Sequence, residues 1–179
     1  MPREMKLVPY NAEWPAMFAR EKEMLAGVFG ALVLDIHHFG STAIAGMPAK
    51  PTIDVMVVVR DIEAVDARNH AMTGLGYIPR GEHGIAGRRY FVRWDASGTQ
   101  HASHIHIYAE GHPHIESELL FRDYLRVDPA SCHAYAEVKR IASRRFLYSP
   151  AEYEDAKRDC VMKILAKARW HYRLAGREP

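Results

Sequence analysis

His38-Phe39-Gly40-Ser41-Thr42-Ala43-Ile44-Ala45-Gly46-Met47-Pro48-Ala49-Lys50-Pro51-Thr52-Ile53-Asp54-Val55 is the stretch whose reading decides the fold. It joins two extended runs, Leu32 to His38 and Ile53 to Val59. The second is β-branched, apolar and short, which predicts a buried strand. Phe39-Gly40-Ser41-Thr42 reads as a loop turning into a short helical segment, and Gly46, Pro48 and Pro51 break the chain again. A glycine followed by small hydroxyl residues at a strand end lets backbone N–H groups and the Ser41 hydroxyl approach an anion closely. A helix beginning there would add its dipole, and Lys50 would bring a mobile positive charge to the same phosphates. Asp54 lies early in the buried strand, where an ionised carboxylate is costly unless it is paired or holds a metal. A plain surface turn, with Asp54 capping a neighbouring loop, is the alternative that spacing alone leaves open.

Working outward, Asn11 is placed to cap a helix reaching Phe29, with Pro15 in its first turn and Trp14, Met17, Phe18, Leu25 and Val28 facing the core. Gly27 and Gly30 help to end it. Asp61 caps a helix that buries Ile62, Val65, Met72 and Leu75 and stops at Gly74-Leu75-Gly76. Arg88 to Trp94 and Ser103 to Ala109 predict two further strands, joined through a hairpin turn at Asp95, Ser97 and Gly98. From Pro113 the pattern is helical only, at roughly 114–126, 130–147 and 150–173, with Asp128-Pro129 and Ser149-Pro150 as start signals. The expectation is an α/β (α+β) fold in one domain over 1–179. It has a mixed four-stranded sheet flanked by helices (core about 8–110) and a C-terminal helical bundle (about 113–173).

Composition narrows the function classes. The 179 residues are 48% hydrophobic and 26% charged, which is ordinary for a globular chain. A net charge of +2 without a long Lys/Arg run makes nucleic acid an improbable partner. Cys132 and Cys160 have no metal-type spacing and suggest a reducing compartment. Met1 to Tyr10 lacks the apolar stretch of a signal peptide, and no run approaches a bilayer span, so a cytoplasmic protein without a membrane partner is expected.

Gly-Ser-Thr from Gly40, the following Gly46, Ala49-Lys50-Pro51 and Ile53-Asp54-Val55 together resemble the GrpB family of the nucleotidyltransferase-fold superfamily. Tyr10 with Trp14-Pro15, Gly76-Tyr77, His104-Ile105-His106 and Phe121-Arg122-Asp123-Tyr124-Leu125-Arg126 extend the resemblance, as do Tyr135 with Lys139 and Tyr153 with Ala156-Lys157. It covers about Val8 to Trp170. The resemblance implies a nucleotidyltransferase core that uses a nucleoside triphosphate and a divalent metal, Mg²⁺ or Mn²⁺. It places phosphates on Gly40, Ser41 and Thr42 and the first metal carboxylate on Asp54. Oxygen ligands suit such ions, and a metal pair stabilises attacking and leaving oxygens.

One position departs from the pattern. Active members carry a second carboxylate two residues on, on the same strand face, and that position is Met56. His104 and His106 share a strand face at i, i+2 and offer a substitute, and an Asp-His-His set favours Mn²⁺, Zn²⁺ or Fe²⁺ over Mg²⁺. His106 is also a candidate acid/base, against the alternative of two polar side chains on a solvated edge. Glu82, Asp95 and Glu110 are the carboxylates available to fold back beside Asp54. The rival histidine-triad and 2H phosphoesterase patterns fail, at Tyr108 and for want of a second His-x-Ser/Thr.

Arg88 and Arg89 are placed to clamp a phosphate bidentately, or to lie solvated on a mobile hairpin. Arg122, Arg126, Lys139 and Lys157 face either solvent or the cleft. His112 and His114 read as surface loop, and His37 and His38 as core or edge. Three functions follow: metal-dependent nucleotidyl transfer to an unknown acceptor, a catalytically decayed nucleotide- or metabolite-binding module, and a phosphoester hydrolase built on Asp54 and the His104/His106 pair.

Overall fold

The computed structural model describes residues 4–174. Helix α1 (Trp14–Phe29) leads into strand β1 (Val33–Phe39), a 3-10 turn at Ser41–Ala43 and strand β2 (Ile53–Val59). Helix α2 (Asn69–Gly74), strands β3 (Tyr77–Pro79), β4 (Arg89–Trp94) and β5 (His101–Ala109), and helices α3 (Pro113–Val127), α4 (Pro129–Arg145), α5 (Pro150–Asp155) and α6 (Arg158–Leu174) follow.

The mixed α/β architecture is as expected, with one strand more. The sheet order is β1-β2-β5-β4-β3, and only β2 and β5 run parallel. Strand β3 escapes a sequence reading because it is three residues long, ends in proline and sits at the sheet edge, where a missing N–H is tolerated.

The alternation of β2 builds two layers. Ile53, Val55, Val57 and Val59 join Trp14, Leu25 and Phe29 of α1 and Ile105 and Ile107 of β5 in the main core. The other face carries Asp54, Met56 and Val58 beside His104, His106 and Tyr108, paired in register across the parallel ladder. A second core lies among α3, α4 and α6, where Leu120, Tyr124, Tyr135 and Ile164 pack with Ile44 and Met47 from the long β1–β2 connection. The two cysteines are free thiols, packed against this bundle.

Several local expectations shift. Asn11 forms an Asx turn to Glu13 N–H ahead of α1 rather than capping it, and the helix closes at Gly30, φ +51°. Asp61 accepts from the N–H groups of Glu63 and Ala64, so it caps the 3-10 turn Glu63–Arg68 that precedes α2. Leu75 is exposed rather than core. Asp128 does cap α4, accepting from Ala130 and Ser131 N–H. The single helix expected over 150–173 is divided into α5 and α6 at Ala156-Lys157. Among the described residues no helix is long and apolar enough to cross a membrane.

Beneath the main core face, buried Glu21 of α1 accepts from Tyr77 and Arg93 and ties the helix to β3 and β4. Removing one partner of a buried charged network leaves the other charge uncompensated. Glu21→Ala is therefore expected to cost about 3 kcal/mol in chemical denaturation, while the larger Glu21→Gln side chain, which keeps an acceptor, costs less.

Candidate functional site

The site begins with a register. Phe39, the last residue of β1, pairs with Asp54 near the start of β2, so the chain leaving β1 turns directly above the carboxylate. Gly40 makes that turn at φ +68°, and a Cβ there would stand 2.6 Å from Asp54 Oδ2. Only glycine meets both the left-handed backbone and the close approach. The segment after it is a single 3-10 turn, so the dipole of a longer helix is absent at Ser41, and Gly40, Ser41 and Thr42 of the turn line the cleft.

The turn is braced from behind by α3. The Arg122 guanidinium donates to His38 O at 2.9 Å, and Arg126 donates to Ala43 O at 2.7 Å, one on each side of Gly40-Ser41. These arginines, left between solvent and cleft by the sequence, instead hold the loop's outer carbonyls. Thr42 is buried and lies 3.0 Å from His38 Nε2, and it lines the cleft together with Gly40 and Ser41.

Asp54, His104 and His106 come together as expected, with one potential ligand atom from each within 4.8 Å of the others. His104 Nδ1 lies 3.1 Å from Asp54 Oδ1, and His104 Nε2 lies 2.7 Å from His101 Nδ1. Two donors each about 2.1 Å from one ion stand roughly 3.0–3.4 Å apart, so Asp54 and His104 already have the spacing of a shared metal. In that arrangement His101 is the outer partner that orients His104. The Arg88 guanidinium lies 3.3 Å from His106 Nδ1 and can only donate, so it fixes His106 as the Nε2–H tautomer. A metal held by Nδ1 would displace this hydrogen bond, and one held by Nε2 would require the proton to move to Nδ1, which also ends it. With either change the donor set fits a divalent ion that accepts both imidazole and carboxylate.

Electrostatics favour an ionised Asp54 and a neutral His106, the forms in which these two side chains can hold a metal. Burial alone would raise the Asp54 carboxyl, but the hydrogen bond from His104 and the neighbouring basic side chains, Lys50 among them, hold it below the usual range. Burial lowers His106 to about 3 and His38 to about 4.

The carboxylates proposed to replace Met56 do not do so. Glu82 caps Gly87 N–H on an outer loop, Asp95 organises the β4–β5 turn through Ser97, and Glu110 follows β5, so none of them lines the cleft. Met56 is fully buried with Phe39, Val58 and Tyr108, so its position opens onto a small core rather than the cleft. The acids that do reach the cleft, Glu118 of α3 and Glu154 of α5, come from the helical bundle. Burial, aided by the Asp54 charge, raises Glu118 to about 7.

The cleft itself measures about 600 Å³, with sheet and glycine turn on one side and α3, α4 and α5 on the other. Lys50, Lys139 and Lys157 all line it. Lys50 lies 3.6 Å from Glu154 and over the Tyr153 ring. Lys157 pairs with Glu154 at 2.7 Å. Lys139 is buried, donates to Pro48 O at 2.5 Å, and is pushed well down by burial and by the charges of Lys157 and Lys50.

Of the paired arginines only Arg88 lines the cleft. Its Nε donates to Glu82 O and an NH to His83 O, anchoring the glycine-rich loop instead of lying solvated. Arg89 points away into a bidentate pair with Asp66, so the clamp expected of Arg88-Arg89 is not formed. His112 caps α3 and reaches Ala86 O at 3.0 Å, tying the same loop down. Glu118, Tyr135, Tyr153 and Glu154 were missed, or read only as spacings, because an amphipathic helix pattern does not say which neighbour its polar edge meets.

A family model described as GrpB protein matches residues 4–167. The chain belongs to the GrpB family. It is 42% identical to the UPF0157 protein YqkA of Bacillus subtilis over 169 residues, 94% of this chain and 48% of that protein, so it spans about half of that relative's length. The crystal structure of conserved protein GrpB from Enterococcus faecalis superposes with a TM-score of 0.86 at 31% identity, covering 93% of this chain and 99% of the other. Cid1, described as having RNA terminal uridylyl transferase activity, matches with a TM-score of 0.52 at 16% identity, over 74% of this chain and 40% of its own. That likeness establishes a nucleotidyltransferase-type fold.

Two partly buried histidines give the site a pH signature. Unfolded, His38 and His106 protonate near 6.5, and folded they do so only near 4 and 3. Between those values the unfolded chain binds more protons, so stability is full above 6.5 and falls as the pH drops. Urea unfolding from pH 7.5 to 4.5 is expected to show this fall, made shallower by His38→Gln.

Proposed function

We propose that the chain is a metal-dependent nucleotidyltransferase-like enzyme that takes a nucleoside triphosphate as donor. The observation that carries this reading is the glycine turn closed against a carboxylate that shares its cleft floor with two histidines. Asp54, His104 and His106 would hold a divalent ion, Mn²⁺ or Zn²⁺ suiting the imidazoles better than Mg²⁺. The ion, when bound, supplies charge neutralisation at the reacting phosphorus.

The chain's own groups do the rest. The Gly40-Ser41 turn presents backbone N–H groups and a hydroxyl to the phosphates at close range. Lys50 of the β1–β2 connection, Lys139 of α4 and Lys157 between α5 and α6 all line the cleft and favour a polyanion in it. Arg88, locked by two loop carbonyls, orients His106 before an ion arrives and adds fixed positive charge beside it. Lys139, lowered first by burial and then by the charges of Lys157 and Lys50, would be favoured in its charged form by a ligand phosphate.

Met56 favours a second reading. Its burial leaves a single strand carboxylate at the metal position, which is the arrangement of a nucleotide- or metabolite-binding module whose catalysis has decayed. The two readings share the binding step and part at turnover. Binding is tested by thermal shift with each of the four common nucleoside triphosphates, with and without Mg²⁺, Mn²⁺ or Zn²⁺. A ligand at about a hundred times its Kd adds roughly 2.7 kcal/mol, and this gain is expected to require metal and to vanish in Asp54→Ala. A nucleotide gain that ignores metal and survives in Asp54→Ala would favour the binding module. No gain with any pair would overturn both.

A further inference from the structure

Behind the Gly40-Ser41 turn the main cleft opens into a second groove of about 290 Å³ between α3 and α6. Its walls are Ser117, Glu118 and Phe121 of α3 and Val161, Met162 and Leu165 of α6. Gly40, Ser41, Glu118 and Lys157 line both spaces, so the groove reaches the glycine turn without crossing open solvent. None of its residues takes part in the metal cluster described above.

Its size suits a small molecule, near the lower end of ordinary ligand sites. Its walls state the chemistry further. Phe121, Val161, Met162 and Leu165 make one side apolar, and Met162 is 58% exposed at the mouth. The groove's basic groups are already paired, Lys157 with Glu154 at the junction and Arg158 with Asp155 at the exposed rim. An anion therefore finds no unpaired cation among the described lining residues, and Glu118, raised to about 7 by burial, offers a cation only a partial charge. Glu118 stands at the junction, partly buried, and its carboxyl makes no hydrogen bond or ion pair among the described residues. An acceptor that no described protein group satisfies, set where the two spaces meet, is open to a hydrogen bond from a ligand.

We propose that the α3–α6 groove is the acceptor subsite, that it takes a small neutral molecule with an apolar body and a hydroxyl group, and that Glu118 holds that hydroxyl toward the cleft. The assignment as acceptor subsite rests on the nucleotidyl-transfer reading, whereas the groove's ligand chemistry does not. Glu118 is a positioning residue in this account. Burial raises its carboxyl into the neutral range, which suits a group that exchanges a hydrogen bond with a hydroxyl rather than one that stands as a fixed charge.

The test uses benzyl alcohol and toluene as probes, which differ by the hydroxyl group, on the full chain without nucleotide. Methyl-resolved NMR follows Val161, Met162 and Leu165. Benzyl alcohol is expected to shift these methyls saturably and to bind about fivefold more tightly than toluene, the worth of one net hydrogen bond. Glu118→Leu should erase that preference while both probes still bind. Ser117→Phe fills the groove, and the Ser117 hydroxyl it removes bonds only along its own helix. That variant should fold normally and weaken both probes at least tenfold.

The proposal is overturned if neither probe shifts these methyls, if toluene binds as well as benzyl alcohol in the parent protein, or if Ser117→Phe binds unchanged. Nucleotide-dependent stabilisation measured on the same sample separates the two claims. Groove binding without it keeps the ligand site and overturns its role as acceptor subsite.

Discussion

The approach of Gly40 to Asp54 is the constraint on which the rest of this structure depends. A left-handed turn at the end of β1 lays peptide backbone against a carboxylate that the antiparallel register has placed opposite Phe39. Any side chain at position 40 would meet Oδ2. The cost of keeping Asp54 ionised there is offset by His104, which in turn is held by His101. The turn is kept in place from outside by Arg122 and Arg126 of α3, so the helical bundle is part of the site's frame and not an appendage. Rigid support of this kind is what lets a site hold its geometry before any ligand arrives.

The position of Met56 explains how the site differs from a two-carboxylate strand. The parallel β2–β5 ladder sets His104 beside Asp54 and His106 beside Met56. With Met56 sealed under Phe39 and Tyr108, the ligand-bearing groups shift sideways from one strand onto its neighbour. The acids that remain in the cleft come from helices α3 and α5, next to three lysines. Charge in the cleft is thus arranged as a metal-type corner on the sheet and a mixed acid–lysine wall on the helices, with the glycine turn between them.

Much of this was legible from residue order. The β-branched run of β2 announces a buried strand, the Gly-Ser pair announces a close backbone approach, and the His-x-His spacing puts two imidazoles on one face. Asp54, His104 and His106 therefore appear together in the fold as in the reading. Other parts could not be read. Whether Arg88 or Arg89 faces the cleft depends on which strand face is covered, and Asp66 on a distant turn claims Arg89. Arg122 and Arg126 reach backbone carbonyls 84 and 83 residues away, which no local pattern encodes. Strand β3 is too short, and too close to a proline, to carry a period of its own.

The central claim is that Asp54, His104 and His106 form one divalent-metal site beneath the glycine turn. Titrating the protein with Mn²⁺ and following the electron paramagnetic resonance signal of the free ion tests it most directly. The account predicts one tight site per chain, weakened at least about tenfold by Asp54→Asn and by His101→Ala, the latter through the outer-partner bond to His104. No Mn²⁺ uptake by the parent protein, or uptake unchanged in Asp54→Asn, would contradict it.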